Sequence, residues 1–237
     1  MILYDGVDIR SVADVKIEDI RVSAIQWLQT ARNRAISPGS VFVRNRAGTR
    51  TVTVTFALLQ MNRNARQAAL TAINAWAKSD KEYRIDVPGH PDHYLMGVCT
   101  AKPDPSLRQW WESKLRLVFT CYNNPFWTDN VEKSANCGTA FTVLGDAEPL
   151  MRIERTVTGS AVSDQSYALD GRTITLSTIP VGNMTLDLNN QLIQSVNGST
   201  ITDLMQYYGI TSRFLIPRTG AQTITGTGTI KYRERWE

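Results

Sequence analysis

The residues best suited to chemistry are few. His90 and His93, the only histidines, lie with Asp92 in the run Pro88-Gly89-His90-Pro91-Asp92-His93. Imidazole and carboxylate could hold a metal or move a proton. Two prolines and a glycine packed among them mark a tight loop, however, and neither a third ligand cluster nor the helical spacing of a zinc protease accompanies them. A turn is expected there, not a metal site. No Ser stands in a G-x-S-x-G elbow or beside a histidine, so a hydrolytic triad lacks its parts. Asp and Glu scattered along the chain could meet in space as a glycosidase pair, and their mere presence decides nothing. Gly226-Thr227-Gly228 is too short for a phosphate loop and lies between strand candidates. Cys99, Cys121 and Cys137 are odd in number, far apart and without a C-x-x-C pair, which argues for reduced thiols. The expectation is no catalytic residue, no cofactor and no metal, and a protein that is not an enzyme.

Six tryptophans allow a second class of chemistry, stacking on sugar rings or bases. Trp110, Trp111 and Trp127 are the candidates for exposure. Trp76 belongs to a helical apolar face, and Trp27 borders a basic segment where burial against a neighbouring subunit would suit it.

That basic segment is the sharpest feature of the charge pattern. The net charge of +4 arises wholly before residue 131: residues 1–130 carry 17 basic and 12 acidic side chains, residues 131–237 carry 9 and 10. From Ile20 to Ser79 there are nine Lys or Arg and no Asp or Glu. Arg32, Arg34, Arg44, Arg46 and Arg50 surround Val41, Phe42 and Val43. Arginine can clamp phosphates in a salt-dependent way, or it can pair with carboxylates and stack on aromatics where proteins meet. The aliphatic neighbours favour a protein interface formed by these eight residues. No RNP, helix-turn-helix or zinc-finger signature supports nucleic acid.

The elements that must position these residues are mostly strands. Thr51–Gln60 alternates Val52, Val54, Phe56 and Leu58 with Thr51, Thr53 and Thr55, the period of a half-buried strand. Lys114–Tyr122 repeats this with Leu115, Leu117, Phe119 and Cys121, and Val15–Val22 and Tyr94–Thr100 are weaker versions. Asn64–Lys78 places Leu70, Ile73, Trp76 and Ala77 at helical spacing behind a capping Asn62 or Asn64, which predicts one amphipathic helix laid on a sheet. Gln29–Arg50, with Ser37-Pro38-Gly39, reads as an extended arm or a long hairpin.

Composition changes across Asn123–Gly138, a polar, turn-rich linker. Beyond it charge thins out and short strands are expected at Met151–Val157, Thr173–Leu176, Met184–Leu188, Ile224–Thr225 and Thr229–Tyr232, punctuated by Asp170-Gly171, Gly182-Asn183 and Asn197-Gly198. This spacing suggests a β-sandwich. The fold expected is mainly β, an α+β first domain with one main helix over residues 1–136 and a sandwich over 137–237. Hydrophobic residues at 42% and charged residues at 20% suffice for two such cores. No run is long and apolar enough to span a bilayer and the start lacks a signal-peptide profile, so a soluble protein is expected.

Taken in order, a basic arm with Pro-Gly, then RTVTVTFALLQ, ARQAALTAINAWAKS, HYLMGV and KLRLVFTCYNNPFW resemble the distal tail protein family of long-tailed bacteriophages. GDAEPLMRIE, DGRTITLSTIPVGNMTLDLNNQLI and the closing IKYRERWE are similar to the galectin-like β-sandwich that forms that family's second domain. The resemblance covers nearly the whole chain and rests on order and spacing. The arm departs from the family's usual Gly-rich turn in having Ser37-Pro38-Gly39-Ser40.

The resemblance implies a split-barrel or sandwich first domain that closes with other copies into a hexameric ring, and a galectin-like second domain. It implies a structural virion protein at the tail tip, an adaptor between the tail tube protein and the tail-tip hub protein, with receptor-binding or adsorption proteins as further partners. A ring needs two complementary faces, and an Arg-rich face meeting an acidic one would supply them. The alternative is a carbohydrate-binding module that recognises host-wall sugar through exposed aromatics. A wall-degrading enzyme would need a carboxylate pair in a cleft.

Overall fold

The computed structural model describes residues 1–33, 40–60, 62–103, 114–205 and 214–237, without the side chains of 29–46. The chain is mainly β and divides into two compact units, Met1–Trp127 with Glu237, and Thr128–Trp236.

The first unit runs through β1 (Leu3–Tyr4), β2 (Val7–Asp8), α1 (Ile9–Val12), β3 (Val15–Val22), β4 (Trp27–Asn33), β5 (Ser40–Ala47), β6 (Arg50–Leu58), α2 (Arg63–Trp76), β7 (Tyr83–Asp86), β8 (His93–Ala101) and β9 (Leu115–Cys121). It also opens β10 (Trp127–Asp129). Antiparallel pairing orders one sheet as β3, β6, β9, β8, β7, β1, β2. The alternation of β6 is realised: Val52, Val54, Phe56 and Leu58 are buried, and Thr51, Thr53 and Thr55, which alternate with them, are half-buried.

Helix α2 starts where Asn62 accepts the N–H of Ala65 at 2.7 Å, satisfying one of the free amides of its first turn. It buries Ala69, Leu70, Ile73 and Trp76. The Trp76 ring meets Phe119 edge-on at 6.1 Å and Tyr4 at 5.6 Å, while Tyr4 and Phe119 lie 4.7 Å apart. Its indole N–H donates to Val7 O at 3.1 Å and the Tyr4 hydroxyl to Lys78 O at 2.8 Å, so these large rings are buried without stranding their polar atoms. Each such side chain contributes roughly 1.5–3 kcal/mol by its burial.

The second unit contains β11 (Lys133–Asn136), β12 (Phe141–Val143), β13 (Ala147–Val157), β14 (Val162–Leu169), β15 (Arg172–Ile179), β16 (Gly182–Asp187), β17 (Leu192–Asn197), β18 (Thr200–Asp203), β19 (Gly220–Gln222) and β20 (Thr229–Trp236). One antiparallel sheet has the order β11, β20, β13, β16, β17, β18. The hairpin β14–β15 turns at Asp170-Gly171, both at positive φ of 49° and 73°, the geometry a two-residue hairpin loop requires. Ile153, Leu186, Ile193 and Ile230 of the sheet share one core with Tyr167, Leu169, Ile174 and Leu176 of the hairpin, which makes two packed layers.

Two local expectations are revised. The polar stretch after Asn123 is not free of regular structure, because β11 within it pairs with β20, from Lys133↔Tyr232 to Asn136↔Thr229. Ile224-Thr225 forms no strand but a single bridge, Ala168↔Thr225.

Candidate assembly interface

The Arg-rich segment is a hairpin. β4 pairs with β5 from Trp27↔Ala47 to Asn33↔Ser40, and a bulge at Thr30/Ala31 leaves Val43 as the extra residue. Arg32 stands opposite Val41, Phe42 opposite Ala31, Arg44 opposite Thr30 and Arg46 opposite Leu28. Arg34 lies outside the described residues, as do the side chains of the other arm residues from 29 to 46.

The root of the hairpin is tightly clamped. Gln26 N–H donates to Thr49 O at 2.9 Å, Gly48 N–H returns to Gln26 O at 2.7 Å, and Ser23 and Thr51 exchange bonds through Ser23 N–H and Ser23 Oγ, both at 2.9 Å. A Cβ on Gly48 would stand 2.5 Å from Gln26 O, so the strands can close here only on glycine. Ile25 is buried below the clamp, whereas Trp27 and Leu28 just above it are 42% and 46% exposed. Successive strand residues face opposite ways, so the hairpin leaves the unit with an exposed apolar side chain on each face.

Arg50, one residue past this root, turns inward. It is 5% exposed and its guanidinium lies 5.7 Å from the centre of the Trp127 ring, on which His90 stacks at 4.2 Å. The chain is held on its way to Trp127 by Glu82, whose carboxylate accepts the N–H groups of Tyr122 at 2.7 Å and Asn123 at 3.0 Å. Burial pushes the Cys121 thiol up to about 12 and raises those of Cys99 and Cys137.

No protein-family model matches the sequence, and no curated protein matches it. Solved structures do. The SPP1 Dit (gp 19.1) protein, described as a paradigm of the hub adsorption apparatus in phages infecting Gram-positive bacteria, superposes with a TM-score of 0.76. The match covers 100% of this chain and 98% of that one. The chain has the Dit fold.

Chains of the phage p2 baseplate in its activated conformation, with Sr and with Ca, are also similar, with TM-scores of 0.56 and 0.54. Each covers 98% of this chain and 96% of that one. Identity is 17% to Dit and 10% to the p2 chains, so what is shared is the fold.

Within the Dit fold several residues fall elsewhere than the sequence suggested. Arg50 is buried within the first unit at 5% exposure, with its guanidinium facing the Trp127 ring. Trp127 is 7% exposed and presents no platform; Trp110 and Trp111 lie outside the described residues. In the second unit Tyr167 and Tyr232 are buried, and Tyr207 and Tyr208 lie outside the described residues. His90 and His93 occupy the expected turn, His93 N–H donating to His90 O, and no cluster of three metal-binding side chains occurs among the described residues.

Sequence reading missed a groove of about 730 Å³ on the second unit, lined by Glu154, Thr156, Asn183, Thr185, Thr229 and Lys231 among others. Its residues come from three strands far apart in sequence, and no periodicity links them.

Proposed function

We propose that this protein is a structural virion protein, a hexameric adaptor ring at the distal end of a phage tail. It joins the tail tube to the tail-tip hub and host-adsorption apparatus, and it is not an enzyme. The observation that carries this reading is the Dit fold, shared over the full length of both chains. The order and spacing of its sequence segments, which resemble the distal tail protein family, support it.

In this reading the first unit forms the ring and the second is a galectin-like sandwich, each folding on its own core. The ring contact is the hairpin, with Arg32, Arg34, Val41, Phe42, Val43, Arg44 and Arg46 on the arm and Trp27 and Leu28 at its root. Exposed apolar residues on both faces of the root suit an arm gripped by a neighbouring copy, since aliphatic and aromatic burial adds association energy that charge alone does not. A head-to-tail contact of this kind closes by rotation.

Light scattering and negative-stain electron microscopy of the purified protein test the reading. Six chains per particle and a ring with a central hole are expected. A monodisperse monomer at tens of micromolar would overturn the ring.

A further inference from the structure

The six-stranded sheet of the second unit turns one face to the core and the other to solvent, and the groove lies on the outer face. Glu154 on β13 is paired with Thr229 on β20 and with Thr185 on β16, while Thr156 is paired with Asn183. Lys231 is paired with Arg152, so the lining spans three neighbouring rows, of which the middle one, Thr229–Glu154–Thr185, crosses all three strands. Strand spacing of about 4.8 Å and a two-residue repeat of about 6.8 Å give a footprint roughly 10 Å by 14 Å. That is close to the length of about three linked sugar rings.

Its hydrogen-bonding groups are only partly used. Thr156 Oγ donates to Asn183 Oδ1 at 2.9 Å, and Glu154 accepts from Arg152 Nε at 2.7 Å. The hydroxyls of Thr185 and Thr229, the amide NH₂ of Asn183 and the ammonium of Lys231 make no hydrogen bond to any described residue. Donors and acceptors therefore alternate across a lining that carries one carboxylate, Glu154, and two cations, Arg155 and Lys231. The Glu154 carboxylate is already paired with Arg152, and Met184 is the one apolar side chain among the lining residues, so a lipid or apolar peptide would find little hydrophobic floor. Sugar hydroxyls, which donate and accept at once, match this lining.

We propose that the groove formed by Glu154, Thr156, Asn183, Thr185, Thr229 and Lys231 binds a hydroxyl-rich glycan. No aromatic ring lines it, so recognition rests on hydrogen bonds and is weak for one site, on the order of millimolar. The site itself does not depend on the ring. In a hexamer, however, six such sites on one glycan polymer gain avidity without any new contact.

Saturation-transfer NMR on the full-length protein tests this with maltotriose, cellotriose and triacetylchitotriose as soluble probes. Transfer to at least one of the three is expected, with about tenfold weaker binding in the Thr185→Val/Thr229→Val double variant and in Lys231→Ala. Both variants should keep the parent's circular dichroism and particle mass, because the changes are on the surface. Absence of transfer from all three probes at about 10 mM, or binding unchanged in both variants, overturns the inference. Since a single trisaccharide reports one site, that result is independent of whether the protein forms a ring.

Discussion

The Arg50 guanidinium lies 5.7 Å from the centre of the Trp127 ring, linking the first residue of β6 to the end of the first unit's continuous run Met1–Trp127. A desolvated cation–π contact is worth about 2 kcal/mol. Arg50→Glu should therefore lower stability by about 3 kcal/mol or more, because it places a carboxylate where a cation was held. Urea unfolding followed by tryptophan fluorescence reads this, and a variant as stable as the parent would refute the inward role of Arg50.

Arg44 and Arg46 should behave differently. Their hairpin contains no acidic residue to neutralise them, so Arg44→Glu/Arg46→Glu is expected to lower particle mass while the protein stays folded. Trp27→Ser/Leu28→Ser should act in the same direction. Light scattering with circular dichroism on one sample makes the measurement, alongside a DNA titration across salt. Unchanged mass together with loss of a salt-sensitive DNA affinity present in the parent would sink the interface reading.

In the second unit Arg152 donates to both carboxylate oxygens of Glu132, at 2.7 and 3.0 Å. This hydrogen bonding holds the Glu132 carboxyl below its usual range, against the opposing effect of partial burial. A depressed folded-state value contributes stability that is fully present above the unfolded pKa of about 4.3 and disappears as pH falls through the folded value. The thermal midpoint should accordingly drop below about pH 4. Glu132→Gln should be less stable at pH 7 and lose less on acidification, as differential scanning calorimetry from pH 7 to pH 3 would show.

Gly226 holds φ at +132°, and a Cβ there would stand 2.5 Å from Cδ1 of the buried Tyr167 ring. The Tyr167 hydroxyl is itself fixed by donation to Thr227 O at 3.0 Å, so the ring cannot retreat freely. Gly226→Ala should cost about 2–4 kcal/mol through strain and overpacking. Chemical denaturation measures it; a loss under about 0.5 kcal/mol would mean the ring has room.

Much of the fold was legible because its signals are local. The alternation of Val52, Val54, Phe56 and Leu58, the apolar stripe of Leu70, Ile73 and Trp76 behind Asn62, and the Asp170-Gly171 turn each follow from periodicity or backbone sterics within a few residues. The sequence by itself thus determined a mainly β chain with one substantial helix, a basic arm that could be extended or a hairpin, and the absence of recognised catalytic motifs. Three-dimensional packing alone decided that Arg50 serves the core while its hairpin neighbours belong to the arm, since a charge census cannot tell a buried cation from an exposed one. It likewise decided that Trp127 is covered by His90 and Arg50 and is no open platform. Thr229, Glu154 and Thr185 become neighbours only through strand register, a relation between distant segments that no local pattern encodes.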